Sequence, residues 1–187
     1  HIGYQAPGLI PIRKTGRGDW PVPGWDPKYH WTGYIPFDAL PTEFDPADGV
    51  IVTANQAVVP RTYTYYLTND WDYGYRSQQI LDRIKAAGKL DANAMASIQL
   101  DTKNGAAEML VPYLLQIGID DDFERQGQDT LRNWDFTQPA DSAAAAYFNV
   151  VWRNLLALTF HDQLPESAWP DGGSRWFEVI RTLLNQP

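Results

Sequence analysis

Cysteine is absent from the 187 residues. That removes disulfide scaffolds, thiolate zinc sites and thiol nucleophiles together, and leaves the compartment open. Histidine is scarce: His1, His30 and His161 match no metal-ligand spacing, and HExxH does not occur. His161 follows an apolar helix and reads as a satisfied helix-end residue. Positive charge is thin, with 15 Lys and Arg against 23 Asp and Glu, a net charge of −8 and a pI near 4.7. Phosphate-backbone binding needs the opposite balance, and the nearest thing to a basic cluster, Lys85 with Lys89, is flanked by Asp82 and Asp91. Long hydrophobic runs are missing too. Val150 to Phe160 is broken by Arg153 and Asn154, well short of the roughly 20 apolar residues of a membrane helix. The first residues lack the basic start and apolar stretch of a signal peptide. Ile2-Gly3-Tyr4 reads at once as a strand, as the interior of a longer polypeptide would.

A self-sufficient active site is also missing. None of the five serines (Ser77, Ser97, Ser142, Ser167, Ser174) sits in a GxSxG elbow, and helix caps or exposed helix positions account for them. Gly16 and Gly18 in "TGRGDWPVPG" precede Pro21 and Pro23 where a phosphate-cradling helix would begin, so that segment is a turn. Carboxylates are plentiful, but Asp120-Asp121-Asp122 has no EF-hand spacing and suits a helix N-terminus. Glu43, Asp45 and Asp48 suit loop solvation better than a glycosidase pair.

What is present is a globular composition, 44% apolar and 20% charged, enough for one domain with a core or two small ones. Its texture changes along the chain. Nine of the 14 prolines fall before residue 61, which excludes long helices there. Short strands are predicted at Ile2 to Gln5, Tyr34 to Phe37 and Val50 to Ala54, joined by aromatic loops. From Trp71 the periodicity is helical. Tyr75, Ile80, Leu81 and Ile84 make one apolar face that stops at Gly88. Further helices are predicted from an Asp91 cap to Leu100, from Gly105 to Ile117 with a bend at Pro112, from Asp121 to Trp134, from Asp141 or Ser142 through "SAAAAYFNVVWRNLLALTF", and from Arg175 to Asn185. Eight tryptophans, among them Trp20, Trp25 and Trp31, suit packing under proline-rich loops or a sugar-stacking platform.

One segment resists a bland reading. In "GVIVTANQAVVP", residues 49 to 60, an apolar β-branched run ends on Asn55 and Gln56. Two carboxamides side by side either turn the chain or present a rigid neutral donor at the rim of a site without burying it unpaired.

The ordered set "IGYQAPGLIPIR", "WPVPGWD", "WTGYIPFDALPTEFDPADGVIVTANQ" and "DWDYGYRSQQI" resembles the penicillin acylase family, densely over residues 1 to 84 and diffusely beyond. Members are N-terminal-nucleophile amidohydrolases whose β-chain starts with the catalytic serine. The resemblance implies an α+β fold: short strands of the hydrolase core over residues 1–70, then a mainly helical domain over 71–187. It implies that Asn55 is an oxyanion-hole donor and that Arg76 orders the site. Gln56 replaces a second asparagine and is given only a supporting role. Tyr65 and Tyr66 lie where some members supply an aspartate to a structural calcium, so no cofactor is expected from this chain, although the intact enzyme is compatible with calcium. Because the family's serine uses its own α-amino group as base, and residue 1 here is His1, the nucleophile is expected upstream, the fragment alone is expected to be inactive, and its partners are an acyl-amide substrate and the remaining α- and β-chain. Residence in the periplasm or outside the cell is implied by the family. The competing reading is a non-catalytic, aromatic-rich carbohydrate-binding module of a secreted protein.

Overall fold

The structure, a computed structural model, describes residues 1–186. The chain forms two compact units, His1–Asp72 and the residues from Tyr73 onward.

The first unit holds four strands: β1 (Gly3–Gln5), β2 (Pro11–Arg13), β3 (Trp31–Tyr34) and β4 (Thr42–Phe44). They pair as two separate antiparallel ladders. Tyr4 lies opposite Glu43 in β1·β4, and Ile12 opposite Gly33 in β2·β3, with an irregularity between Ile12 and Arg13. Proline begins β2 and immediately precedes β4, positions where a missing N–H interrupts no ladder. Ile35, Leu40, Pro41 and Ala54 are its buried side chains, a thin core for two-stranded ladders that are marginal by themselves.

Three expectations change here. The strand predicted at Tyr34 to Phe37 lies earlier, at Trp31–Tyr34, because Pro36 has no N–H to offer and Phe37–Ala39 closes into a 3-10 turn. β2 and β4 were not foreseen, since their pairing partners are distant in sequence. The strand predicted at Val50 to Ala54 does not form: among the described residues, no ladder partner lies beside it.

The second unit is helical: α1 (Tyr75–Ala87), α2 (Ala92–Gln99), α3 (Gly105–Leu114), α4 (Asp122–Asp129), α5 (Ala143–Phe160) and α6 (Ser174–Leu184). Local chemistry sets the starts. Asp91, Asn104, Asp121 and Ser142 each accept a backbone N–H of the first turn, a bond whose loss costs about 1 kcal/mol. α3 stops at Leu114, short of Ile117, and α4 stops at Asp129, short of Trp134. One side chain accounts for the first: buried Gln128 donates to the carbonyls of Leu114 and Ile117, both at 2.8 Å, closing a turn that a continuing helix would replace. The Thr130 hydroxyl donates to the Gly127 carbonyl at 2.6 Å, and the chain tightens so that Leu131 enters the core at 1% exposure.

That core joins α3, α5 and α6. Leu110 and Phe148 are fully buried, and Trp152 stacks on Phe177 with ring centroids 4.0 Å apart. The Trp152 indole N–H donates to the Gly172 carbonyl, so its one polar atom is satisfied. No described helix is long and apolar enough to cross a membrane.

Candidate active site

Residues 50–56 show why the apolar run ends on two carboxamides. Lacking a neighbouring strand, the backbone still needs partners, and Gln56 supplies them. Its Oε1 accepts the Ala54 N–H at 2.6 Å and its Nε2 donates to the Val52 carbonyl at 2.7 Å. A single carboxamide thus does locally what a strand edge would do. The loop it closes places Asn55 in the left-handed region, φ 68°, which asparagine tolerates better than other side chains carrying a Cβ. The Asn55 carbonyl accepts the Asp72 N–H at 2.8 Å, and Gln56 bridges to Asp72 in parallel fashion. Ala54 is buried while Asn55 is exposed. The backbone is therefore held on both sides of an exposed asparagine. Gln56 had only a supporting role on sequence grounds; the structure assigns it the clamp.

Arg76 is the second residue of α1 in the other unit. Gly74, at φ 87°, precedes the helix in a conformation that a side chain would strain. The first turn carries no acidic residue. Arg76 is exposed and borders a cavity of about 980 Å³ whose walls include Gln79, Ile80, Met95 and Phe177. Asp101 anchors the same wall. It accepts from Arg83 at 2.8 and 2.9 Å and from Gln79 at 2.5 Å, with its side chain 7% exposed. The Arg83 guanidinium holds the Asp101 carboxyl far below the usual carboxylate range. Asn55 belongs to the first unit and Arg76 to the second.

The other candidates have structural work. Asp121 caps α4 and Asp122 pairs with Arg125 at 2.8 Å. Asp45 accepts the Ile2 N–H and pairs with His1, while Asp48 accepts the Val50 N–H. His161 ends α5 with its ring stacked on Trp169 at 3.8 Å. Trp20 and Trp25 depart from expectation: they are 81% and 86% exposed rather than packed under loops. The Tyr66 hydroxyl donates to Asp19 at 3.1 Å. Among the described residues no three His, Cys, Asp or Glu side chains gather to hold a metal.

The family model for penicillin amidase matches residues 1–187, the whole of the chain. The chain belongs to the penicillin amidase family. It is 34% identical over 196 aligned positions to a penicillin acylase 2 proenzyme of a Pseudomonas species, covering 98% of this chain and 25% of that protein. It is 31% identical to the acyl-homoserine lactone acylase QuiP of Pseudomonas aeruginosa, covering 97% of this chain and 23% of that one. A thermostable penicillin G acylase from Alcaligenes faecalis has a similar fold, with a TM-score of 0.59 at 23% identity over 88% of this chain and 32% of that chain. The chain thus spans about a quarter of the length of these curated relatives. Four short strands followed by six helices among the described residues agree with an α+β class.

Proposed function

We propose that these residues form part of an acylase that hydrolyses an acyl amide. A serine at the start of a processed chain, outside these 187 residues, attacks the amide carbonyl, and its own α-amino group takes the hydroxyl proton. The Asn55 side-chain N–H₂ donates to the oxyanion of the tetrahedral intermediate, and Arg76 orders the site. Collapse of that intermediate expels the amine, and water then releases the acid from the acyl-enzyme. The remaining parts of the acylase supply the rest of the core sheet, the acyl pocket and the second oxyanion donor. By itself the segment is inactive, and the protein works in the periplasm or outside the cell.

One observation carries the assignment: Asn55 is exposed on a loop fixed by the Gln56 clamp and the Asp72 N–H. A donor that costs no reorganisation during reaction is what transition-state stabilisation requires. The test uses the full-length protein that contains this sequence, purified and offered penicillin G and a long-chain N-acyl-homoserine lactone, with release of the free amine measured. Hydrolysis of at least one is expected, abolished when the serine that begins the processed chain is changed to alanine. No amine release from either amide, or release that survives loss of that serine, contradicts the proposal.

Exposure of Trp20 and Trp25 favours one competitor, a carbohydrate-binding module. Membership of the amidase family across the whole chain outweighs it, and glycan titration of the full-length protein is expected to show no saturable binding. Saturable binding lost on Trp25→Ala would reverse that order.

A further inference from the structure

A guanidinium at the end of a long flexible side chain is aimed only as well as the backbone beneath it is held. Arg76 stands one residue into α1, and the residue before it is the anchor. Tyr75 is half-buried and packs against the core cluster of the helical unit. Its ring lies beside Gly105, at the start of α3, where an added Cβ would sit 4.0 Å away. Its hydroxyl donates to Glu178 Oε1 at 2.6 Å, a bond that spans 103 residues of sequence and joins the first turn of α1 to α6. Glu178 is held in turn: Arg181 donates to its Oε2 from Nε at 3.0 Å and from Nη2 at 2.7 Å. Burial and the neighbouring Glu178 push the Tyr75 hydroxyl up to about 12, so it remains a donor at any working pH. Arg181 holds the Glu178 carboxyl below its usual value, so it remains an acceptor. Before Tyr75, the Gly74 carbonyl takes the Gln78 N–H at 2.9 Å and the Ser77 hydroxyl at 3.0 Å.

We propose that Tyr75 and Glu178 are a positioning pair that pins the start of α1 to α6 and thereby aims Arg76 at the reacting groups. The inference rests on the role given to Arg76 above. Neither Tyr75 nor Glu178 touches substrate in this scheme. The hydroxyl is what matters, because the ring alone fills the core whether or not it carries an oxygen. A half-buried hydroxyl needs a partner, and the one it takes lies on another helix, α6.

The experiment compares Tyr75→Phe, Glu178→Gln, Glu178→Ala, Arg76→Ala and the double variant Tyr75→Phe/Arg76→Ala in the full-length protein. The substrate is whichever of penicillin G and the N-acyl-homoserine lactone is turned over faster. Tyr75→Phe is expected to lower kcat about five- to tenfold with KM within about twofold, because the interaction it disturbs belongs to the transition state. Glu178→Gln keeps a carbonyl acceptor for the Tyr75 hydroxyl and is expected to hold kcat within about twofold of wild type, whereas Glu178→Ala is expected to match Tyr75→Phe. Glu178→Ala also leaves the Tyr75 ring in place, so the comparison survives a folding defect in Tyr75→Phe. In the Arg76→Ala background, the tyrosine change is expected to alter kcat by less than about 1.5-fold, the non-additivity of residues acting through one another. An equal loss with and without Arg76, or a wild-type kcat for both Tyr75→Phe and Glu178→Ala, overturns the pair while leaving Arg76 its role. Wild-type turnover in Arg76→Ala removes the role of Arg76 itself, and the pair falls with it.

Discussion

At the scale of single residues, the clamp around Asn55 divides labour between neighbours of nearly identical chemistry. Gln56 spends its carboxamide on the Ala54 N–H and the Val52 carbonyl, and Asn55 is exposed. Substituting Gln56→Ala leaves both backbone groups to find water. The cost is about 1–2 kcal/mol, seen as a lower melting temperature of the full-length protein and a matching fall in turnover as Asn55 loses its aim. Turnover unchanged in Gln56→Ala would show that the clamp does not position the donor. The sequence singled out both residues, and the resemblance supplied the role of Asn55. It could not show how Gln56 acts, because a side chain closing a loop onto residues two and four places earlier leaves no periodic signal. Tyr75 was likewise legible only as part of an apolar face. Its hydroxyl partner Glu178 lies on another helix, and nothing in the local pattern links them.

Among the elements, helix starts were readable and helix ends less so. Asp91, Asn104 and Ser142 carry their caps in their own side chains, whereas α3 and α4 end early through contacts of Gln128 and Thr130 that the pattern does not encode. The short strands were the least legible elements, since β1·β4 and β2·β3 pair residues some twenty to forty positions apart and a strand without a partner, as at 50–54, is not one. Two element-level outcomes follow. Gly127 lies within α4, and a Cβ there would run into the Tyr147 ring on α5. Gly127→Ala is therefore expected to destabilise by about 1–3 kcal/mol in spite of alanine's better helix propensity; an increase in melting temperature would contradict that packing. Asp101 ties α1 to the turn between α2 and α3 through Gln79 and Arg83. Its folded carboxyl titrates far below the ordinary value of 3.8, so its contribution is complete above that value and is lost as the pH falls beneath it. Asp101→Asn is expected to lower stability at neutral pH and to flatten the fall in melting temperature between about pH 4 and pH 2. Parallel acid profiles for the two proteins would show that the carboxylate is not the group responsible.

For the molecule as a whole, the two units differ in how much they can sustain alone. The helical unit buries Phe148, Leu110 and Leu131 in a continuous core, while the first unit buries four side chains and leaves Trp20, Trp25 and Phe37 mostly exposed. Expressed as this chain only, the protein is expected to yield to limited proteolysis first within residues 1–72 and to leave a helical product; initial cuts in α5 would contradict that ranking. The same contrast suits a segment that spans a quarter of its relatives. The central claim is that Asn55 stands in this loop to receive charge, not merely to turn the chain. Glycine adopts φ 68° without strain, so Asn55→Gly keeps the turn and removes the donor. In the full-length protein, steady-state kinetics of that variant are expected to show kcat lowered by about 10²-fold or more, and a wild-type kcat would contradict the account.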